Sequence, residues 1–237
     1  MPLAGKRLLL ISNSTMHGRG FLDHAEETIR SFLDGAGRVL FVPYALADRD
    51  AYAEQARKRF EAMGYACDAI HRAKRPREAI AQAQALFVGG GNTFRLLKTL
   101  QEEGLLLPIG LRAAAGMPYI GSSAGSVIAA PTIRTTNDMP IVEPPSLEAL
   151  GLVPFQVNAH YLDADPASTH MGETREERLR QFHEENAAPV VGLREGAMLS
   201  IGNGTVLLQG SAGARVFRRG ESSVEAAPGA SLGELLA

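Results

Sequence analysis

The chain has 237 residues, 45% of them apolar, which is enough for one substantial core, and an α/β chain of this length is expected to fold as a single domain over residues 1–237. Its 24 basic and 26 acidic residues are well mixed and sum to a formal net charge of −2, so there is no basic footprint for nucleic acid or an anionic membrane, and a small partner is expected. Cys67 is the single cysteine, which excludes an internal disulfide and a thiolate zinc cluster and favours a reducing cytoplasm; Cys67 itself reads as a small apolar residue entering a strand.

The first element is "RLLLIS", whose apolar run is too short for a signal-peptide core or a membrane span and reads as a buried strand. Amphipathic and apolar stretches then alternate: Phe21–Leu33, "RVLFVPYA", Ala51–Met63, "CDAIH", Arg75–Gln84, "ALFVGG" and Asn92–Leu100. This is the rhythm of β-α-β units, and strands with so little polar alternation are buried on both faces, as a parallel sheet covered by helices on both sides requires. The expected fold is therefore a doubly wound, mostly parallel sheet, with ligands at the carboxyl ends of its strands. A fifth strand, "MPYIGS", runs into a cluster of serines. Residues 131–150 hold four prolines, and a loop that long inside a compact domain is more often functional than idle. A strand at Val153–Asn158 and a helix near Thr174–Asn186 follow. Between Val190 and Ala227, "VVGL", "AMLSIG", "TVLLQG" and "ARVFRRG" alternate with glycine turns and read as a short antiparallel extension of the sheet.

Gly121-Ser122-Ser123-Ala124-Gly125 fits G-x-S-x-G, with an apolar strand before it and the helix-compatible "SVIAA" after it. The matched serine is Ser123. A nucleophile on a sharp strand-to-helix turn needs small residues two positions away on either side, and such a turn aims the Ala124 N–H at a developing oxyanion. Ser122 faces away and Ser126 falls inside the helix on this reading. A hydroxyl needs a base, usually a histidine oriented by a carboxylate. Of six histidines, His160 directly follows the strand "VPFQVNA", at the edge where Ser123 emerges if that strand joins the same sheet. Asp138 in the long loop and Glu195 in "LREGA" are both available as the acid. The order Ser–Asp–His is that of α/β-hydrolases, but the 15 and 22 residues between successive members are too few, so the scaffold is a different one. Gly89, Gly90 and Gly91 end the fourth strand without either common phosphate-loop spacing, and make best sense as the other half of an oxyanion hole.

Together "ISNST", "VGGGNTFRLL", "YIGSSAGS", "PTIRTTNDMPIV", "NAHY" and "GETREERLR" make the chain resemble the peptidase E (aspartyl dipeptidase) family of serine peptidases over most of its length. That resemblance implies a flavodoxin-like or class I glutamine-amidotransferase-like fold and a cofactor-free, metal-free dipeptidase acting on Asp-X dipeptides through an acyl-enzyme. It implies Ser123 as nucleophile, His160 as base, Asp138 as preferred acid with Glu195 the alternative, and Gly91 with Ala124 as oxyanion hole. It also implies Arg175 as the cation for the substrate aspartate. Thr174 and Glu177 form a capping-box pattern that puts Arg175 in the first turn of a helix, where the residues alone would read as a solvated surface charge. Ser126 departs from the small residue expected there. The related cyanophycinases make an isopeptidase of aspartate-rich polymers the neighbouring alternative. Metal-dependent hydrolysis through His160, Asp163, Asp165 and His170, and a non-enzymatic flavodoxin-like module, are the readings from other classes. Monomer and homodimer both stay open.

Overall fold

The structure is a computed structural model that describes residues 5–167, 169 and 171–236. Strands β1 (Arg7–Ile11), β2 (Arg38–Val42), β3 (Ala66–Ala69), β4 (Leu86–Val88) and β5 (Tyr119–Ser122) lie parallel in the order β3-β2-β4-β5-β1. The next strands, β6 (Gln156–Ala159) and β7 (Val190–Leu193), pair in parallel with each other in a separate sheet. After them β8 (Ala197–Gly202) and β9 (Thr205–Gly210) continue the first sheet beyond β1, both antiparallel, to make it seven-stranded. Finally β10 (Ala214–Phe217) and β11 (Val224–Ala226) return to the second sheet, which runs β11-β10-β7-β6.

The two-residue strand period explains why the large sheet is covered twice. Leu8 and Leu10 of β1, Leu40 and Val42 of β2, Leu86 and Val88 of β4 and Tyr119 of β5 enter one apolar cluster; Leu9, Ile11, Val39, Phe41, Phe87 and Ile120 enter the other. The second cluster is closed by α1 (Glu26–Phe32) and α2 (Arg49–Ala62) through Ile29, Tyr52, Ala56 and Phe60, with Phe41 stacked on Phe87 at 5.1 Å between ring centroids. The first is closed by α3 (Pro76–Gln82), α4 (Thr93–Glu102) and α5 (Leu106–Ala114), and by the short α6 (Ala124–Val127). The small sheet adds Val157, Val191, Leu193 and Val216 to this first cluster and turns Val190 and Phe217 toward α7 (Arg175–Glu185) through Leu179 and Tyr161.

This is the doubly wound α/β sheet expected, consistent with a flavodoxin-like fold, with two differences. The C-terminal strands do not form one extension: β8 and β9 prolong the large sheet, while β7, β10 and β11 join β6 in a sheet of their own. Periodicity reports that a strand is buried, not which neighbour it pairs with. The helix α5 is an element beyond those expected, and its "LLPIGLRAA" contains Pro108 and Gly110. The proline lies in the first turn, where a backbone N–H has no intrahelical acceptor, so it costs the helix nothing there.

The order β4-β5-β1 places the carboxyl ends of these three strands side by side. The glycine loop, Ser123 and the polar residues after Ile11 thus share one edge.

Candidate active site

Ser123 sits between β5 and α6 with φ 51° and ψ −112°, a conformation that an L-residue adopts only under constraint. Packing supplies the constraint. A side-chain carbon on Gly125 would stand 2.1 Å from the Val88 carbonyl oxygen, and one on Gly121 would stand 2.4 Å from the Gly125 oxygen, so both glycines of the motif are fixed by close backbone approach. The Ser123 N–H donates to the Ile11 carbonyl at 2.9 Å. Ser126 is buried in α6, with its hydroxyl 2.7 Å from the Ile11 oxygen and 2.8 Å from the Gly121 oxygen, so this departure from a small apolar residue ties the helix to β1 and β5. Ser122 is fully buried and turned away.

His160 follows β6, hence belongs to the small sheet and not, as expected, to the sheet that carries Ser123. It nevertheless meets the serine: Nε2 lies 3.0 Å from the Ser123 oxygen, while Nδ1 lies 2.8 Å from Glu195 Oε1. Glu195 occupies the turn that carries the chain from β7 across to β8. A carboxylate can only accept, so Nδ1 carries the proton and Nε2 is left as the acceptor for the serine hydroxyl. The arrangement can therefore withdraw a proton from Ser123 and stabilise the imidazolium that results.

Asp138 is not where the preferred assignment needs it. Its Oδ2 accepts from the Thr93 N–H at 2.7 Å and the Thr93 hydroxyl at 2.5 Å, at the start of α4. The pull is physical: the first N–H groups of a helix lack intrahelical acceptors and attract a carboxylate. Asn92 caps the same helix through the Arg95 N–H and donates to the Met139 carbonyl, so the loop of residues 131–150 is fastened to the glycine loop rather than to His160. Its place on the loop that follows α6 suggested Asp138; only the path of the chain between sheets brings Glu195 to the histidine.

The glycine loop passes directly against the serine, since a side-chain carbon on Gly90 would stand 3.0 Å from Ser123 Cβ. Gly91 has φ 130° and no room for a side chain beside the Ala45 carbonyl. The Gly90 N–H is taken by the Tyr52 hydroxyl oxygen at 2.8 Å, whereas the N–H groups of Gly91 and Ala124 have no protein acceptor among the described residues.

Arg175 is the first residue of α7, behind the capping box that the sequence predicted: Thr174 Oγ1 accepts from the Glu177 N–H at 3.1 Å, and the Glu177 carboxylate accepts from the Thr174 N–H at 2.6 Å. Its guanidinium is half-buried and pairs with no carboxylate among the described residues. Burial, then the neighbouring Arg178, pull its pKa below the ordinary arginine value, and the charge of Asp138 opposes them. Arg175 lines a cleft of about 480 Å³ with Asn137, Leu162, Asp163, Thr174 and Arg178. Of the residues in the metal reading, His160 spends both ring nitrogens on Ser123 and Glu195, Asp163 is held by Arg194 at 2.6 Å, and His170 lies outside the described residues.

A sequence profile of Peptidase family S51 matches residues 8–209. The chain belongs to that family. It is 54% identical over 229 residues to the Peptidase E of Streptomyces coelicolor, covering 97% of this chain and 94% of the relative. It is 45% identical over 236 residues to a probable alpha-aspartyl dipeptidase of Drosophila melanogaster, covering 98% of each. Among solved structures, a putative Peptidase E from Listeria monocytogenes superposes with a TM-score of 0.66 at 25% identity, over 87% of this chain and 99% of that one. A peptidase from an acI-B1 Actinobacterium superposes with a TM-score of 0.72 at 17% identity, over 97% of this chain and 98% of that one, a likeness of fold. The matched span contains the glycine loop, the serine turn, the histidine after β6 and Glu195. No helix among the described residues is long and apolar enough to cross a membrane.

Proposed function

We propose that this S51 peptidase is a serine dipeptidase that hydrolyses Asp-X dipeptides, and that Ser123, His160 and Glu195 carry the chemistry. The observation that carries the reading is the continuous hydrogen-bonded line from Glu195 through His160 to a serine held in a strained turn. Ser123 Oγ attacks the carbonyl carbon of the amino-terminal aspartate as His160 Nε2 takes the hydroxyl proton, and Glu195 balances the imidazolium charge. The N–H groups of Gly91 and Ala124 receive the oxyanion. The intermediate collapses when His160 passes its proton to the departing amine, which releases residue X and leaves an ester on Ser123. Water then repeats the sequence: His160 takes its proton, the hydroxide attacks the ester, and Ser123 regains the proton as aspartate leaves.

The substrate side chain is assigned to Arg175. An unpaired, half-buried guanidinium is costly unless it meets an anion, and its planar fork matches a carboxylate with two parallel hydrogen bonds. The name of one relative, probable alpha-aspartyl dipeptidase, agrees with aspartate as the residue to be received. A hydrolysis panel of X-Leu dipeptides, N-blocked Asp-Leu and a β-linked Asp-Arg tests the reading. Asp-Leu is the expected substrate, and Ser123→Ala is expected to lose about 10⁴-fold or more in kcat. Equal rates on Asp-Leu and Leu-Leu would remove the aspartate assignment, and preference for the β-linked peptide would make the protein an isopeptidase.

A further inference from the structure

The motif "ISNST" at the end of β1 has no part in the chemistry above, yet three consecutive residues of it bond to the backbone of Ser123, of His160 and of the residue that follows Glu195. The Ile11 carbonyl accepts the Ser123 N–H at 2.9 Å. The Ser12 hydroxyl accepts the His160 N–H at 3.0 Å and donates to the Leu193 carbonyl at 2.9 Å. The Asn13 side-chain oxygen accepts the N–H of Gly196, the residue after Glu195, at 2.8 Å, while its amide donates to the Thr15 carbonyl at 3.0 Å.

Two physical features single these contacts out. Ser123 and His160 both have left-handed backbones, with φ 51° and 52°, and each strained residue has its N–H pinned to this one tripeptide. Such conformations cost about 1–3 kcal/mol and persist only where the surroundings over-determine them. Ser12 and Asn13 are moreover 0% and 1% exposed, and buried polar side chains are worth keeping where each of their polar groups has a partner. The tripeptide also stands where the two sheets meet. Ile11 belongs to the large sheet, Leu193 and His160 to the small sheet or its end, and Gly196 to the turn between them.

We infer that Ile11-Ser12-Asn13 is a three-point anchor that sets the spacing of Ser123, His160 and Glu195 across the two sheets, with Ser12 and Asn13 as positioning residues. The inference rests on the serine-peptidase reading for the roles of those three side chains. It makes a definite demand: loosening the anchor should slow the reaction of Ser123 without weakening substrate binding at Arg175, which is on a different element.

The test measures Asp-Leu kinetics per active site, with sites counted by a fluorophosphonate that labels the reactive serine, for Ser12→Ala and Asn13→Ala. Ser14→Ala serves as the control, since the Ser14 side chain makes no hydrogen bond to these groups among the described residues. Because small misplacements of reacting groups cost up to about 10²-fold, kcat and the rate of fluorophosphonate labelling are expected to fall about 10- to 100-fold together, with KM changed less than about threefold. Ser14→Ala should match the unaltered protein. Unchanged kcat and labelling rate per counted site in both variants, or a rise in KM alone, would overturn the anchor. Should Ser12→Ala fail to fold, Asn13→Ala decides the matter, because its contact lies in the turn and not between strands. If the unaltered protein labels but does not cleave Asp-Leu, the substrate reading fails and the labelling rates still judge the anchor.

Discussion

The large sheet and the small sheet contribute to one site by different means. Ser123 follows β5 of the large sheet, where β4 and β5 are fully buried, β1 is buried beyond Arg7 and the turn glycines have no space for a side chain, so Ser123 is fixed by close packing. His160 follows β6 of the small sheet, and that part adds ion pairs at its outer side to its apolar packing. Arg194 pairs with Asp163 at 2.6 Å and with Glu225 at 2.9 Å, and Arg215 reaches Glu176 at 3.0 Å. Packing alone encloses the turn of Ser123, while the part that carries His160 adds surface ion pairs to its packing. Catalytic geometry should fail first from the small-sheet side.

The largest effect expected within that side is on the acid. Glu195→Gln should lose between about 10²- and 10⁴-fold in kcat, because an amide offers His160 Nδ1 no charge and can present the wrong hydrogen-bonding group. The Glu195 side chain is 55% exposed, so water can replace part of its function and the lower end of that range is favoured. Asp138→Asn should cost less, since a carboxamide oxygen can still accept from Thr93 at the start of α4. Kinetics on Asp-Leu decide it: a larger kcat loss in Asp138→Asn than in Glu195→Gln would return the orienting role to Asp138 and contradict the geometry.

Specificity gives the next effect. Removing Arg175 would leave the substrate carboxylate buried without its partner, about 3–5 kcal/mol. Arg175→Ala should then lower kcat/KM for Asp-Leu by at least about 10²-fold and that for Asn-Leu much less. Lysine should restore only part of the preference, having the charge without the fork. Equal losses on both substrates would mean that Arg175 supports the fold, and Arg134, exposed in the long loop, would be the next cation to try.

Much of this arrangement was legible in the chain. G-x-S-x-G after an apolar strand located Ser123, and the histidine after "QVNA" was singled out by its place at a strand end. The capping box placed Arg175 at a helix start. What could not be read was anything set by pairing between strands distant in sequence. That β6 leaves the large sheet, and that the turn after β7 recrosses to β8, are facts about topology; Asp138 was therefore preferred for its place on the loop that follows the serine turn and its helix, when the crossing brings Glu195 to His160. The polar run after Ile11 carried a usable signal, since ligands gather at the carboxyl ends of strands in such sheets, but its partners were 148 and 183 residues away.

The smallest effect concerns the ion pairs that fasten the small sheet. Arg194 donates to both Asp163 and Glu225, and these hydrogen bonds hold both carboxyl groups below their ordinary range, with burial opposing. A carboxyl whose folded pKa lies below its unfolded one binds more protons in the unfolded state, so stability rises with pH across the interval between the two. The contribution is present above about pH 4, the unfolded range, and is lost as pH falls through the depressed folded values. The side chains of Asp163 and Glu225 are 43% and 52% exposed, so each pair is worth about 1 kcal/mol or less. Arg194→Met should accordingly lower the melting temperature near neutral pH by only about 2–4 °C. It should also flatten the acid limb, because the two carboxyl groups move back toward their unfolded values; Arg215 still holds Glu225, so the limb shrinks without vanishing. Melting curves of both proteins between about pH 3 and 7 measure this. Two limbs of equal steepness, offset by a constant, would show that Arg194 stabilises through its packing over the Tyr161 ring, 5.7 Å from the centroid, and not through its charge.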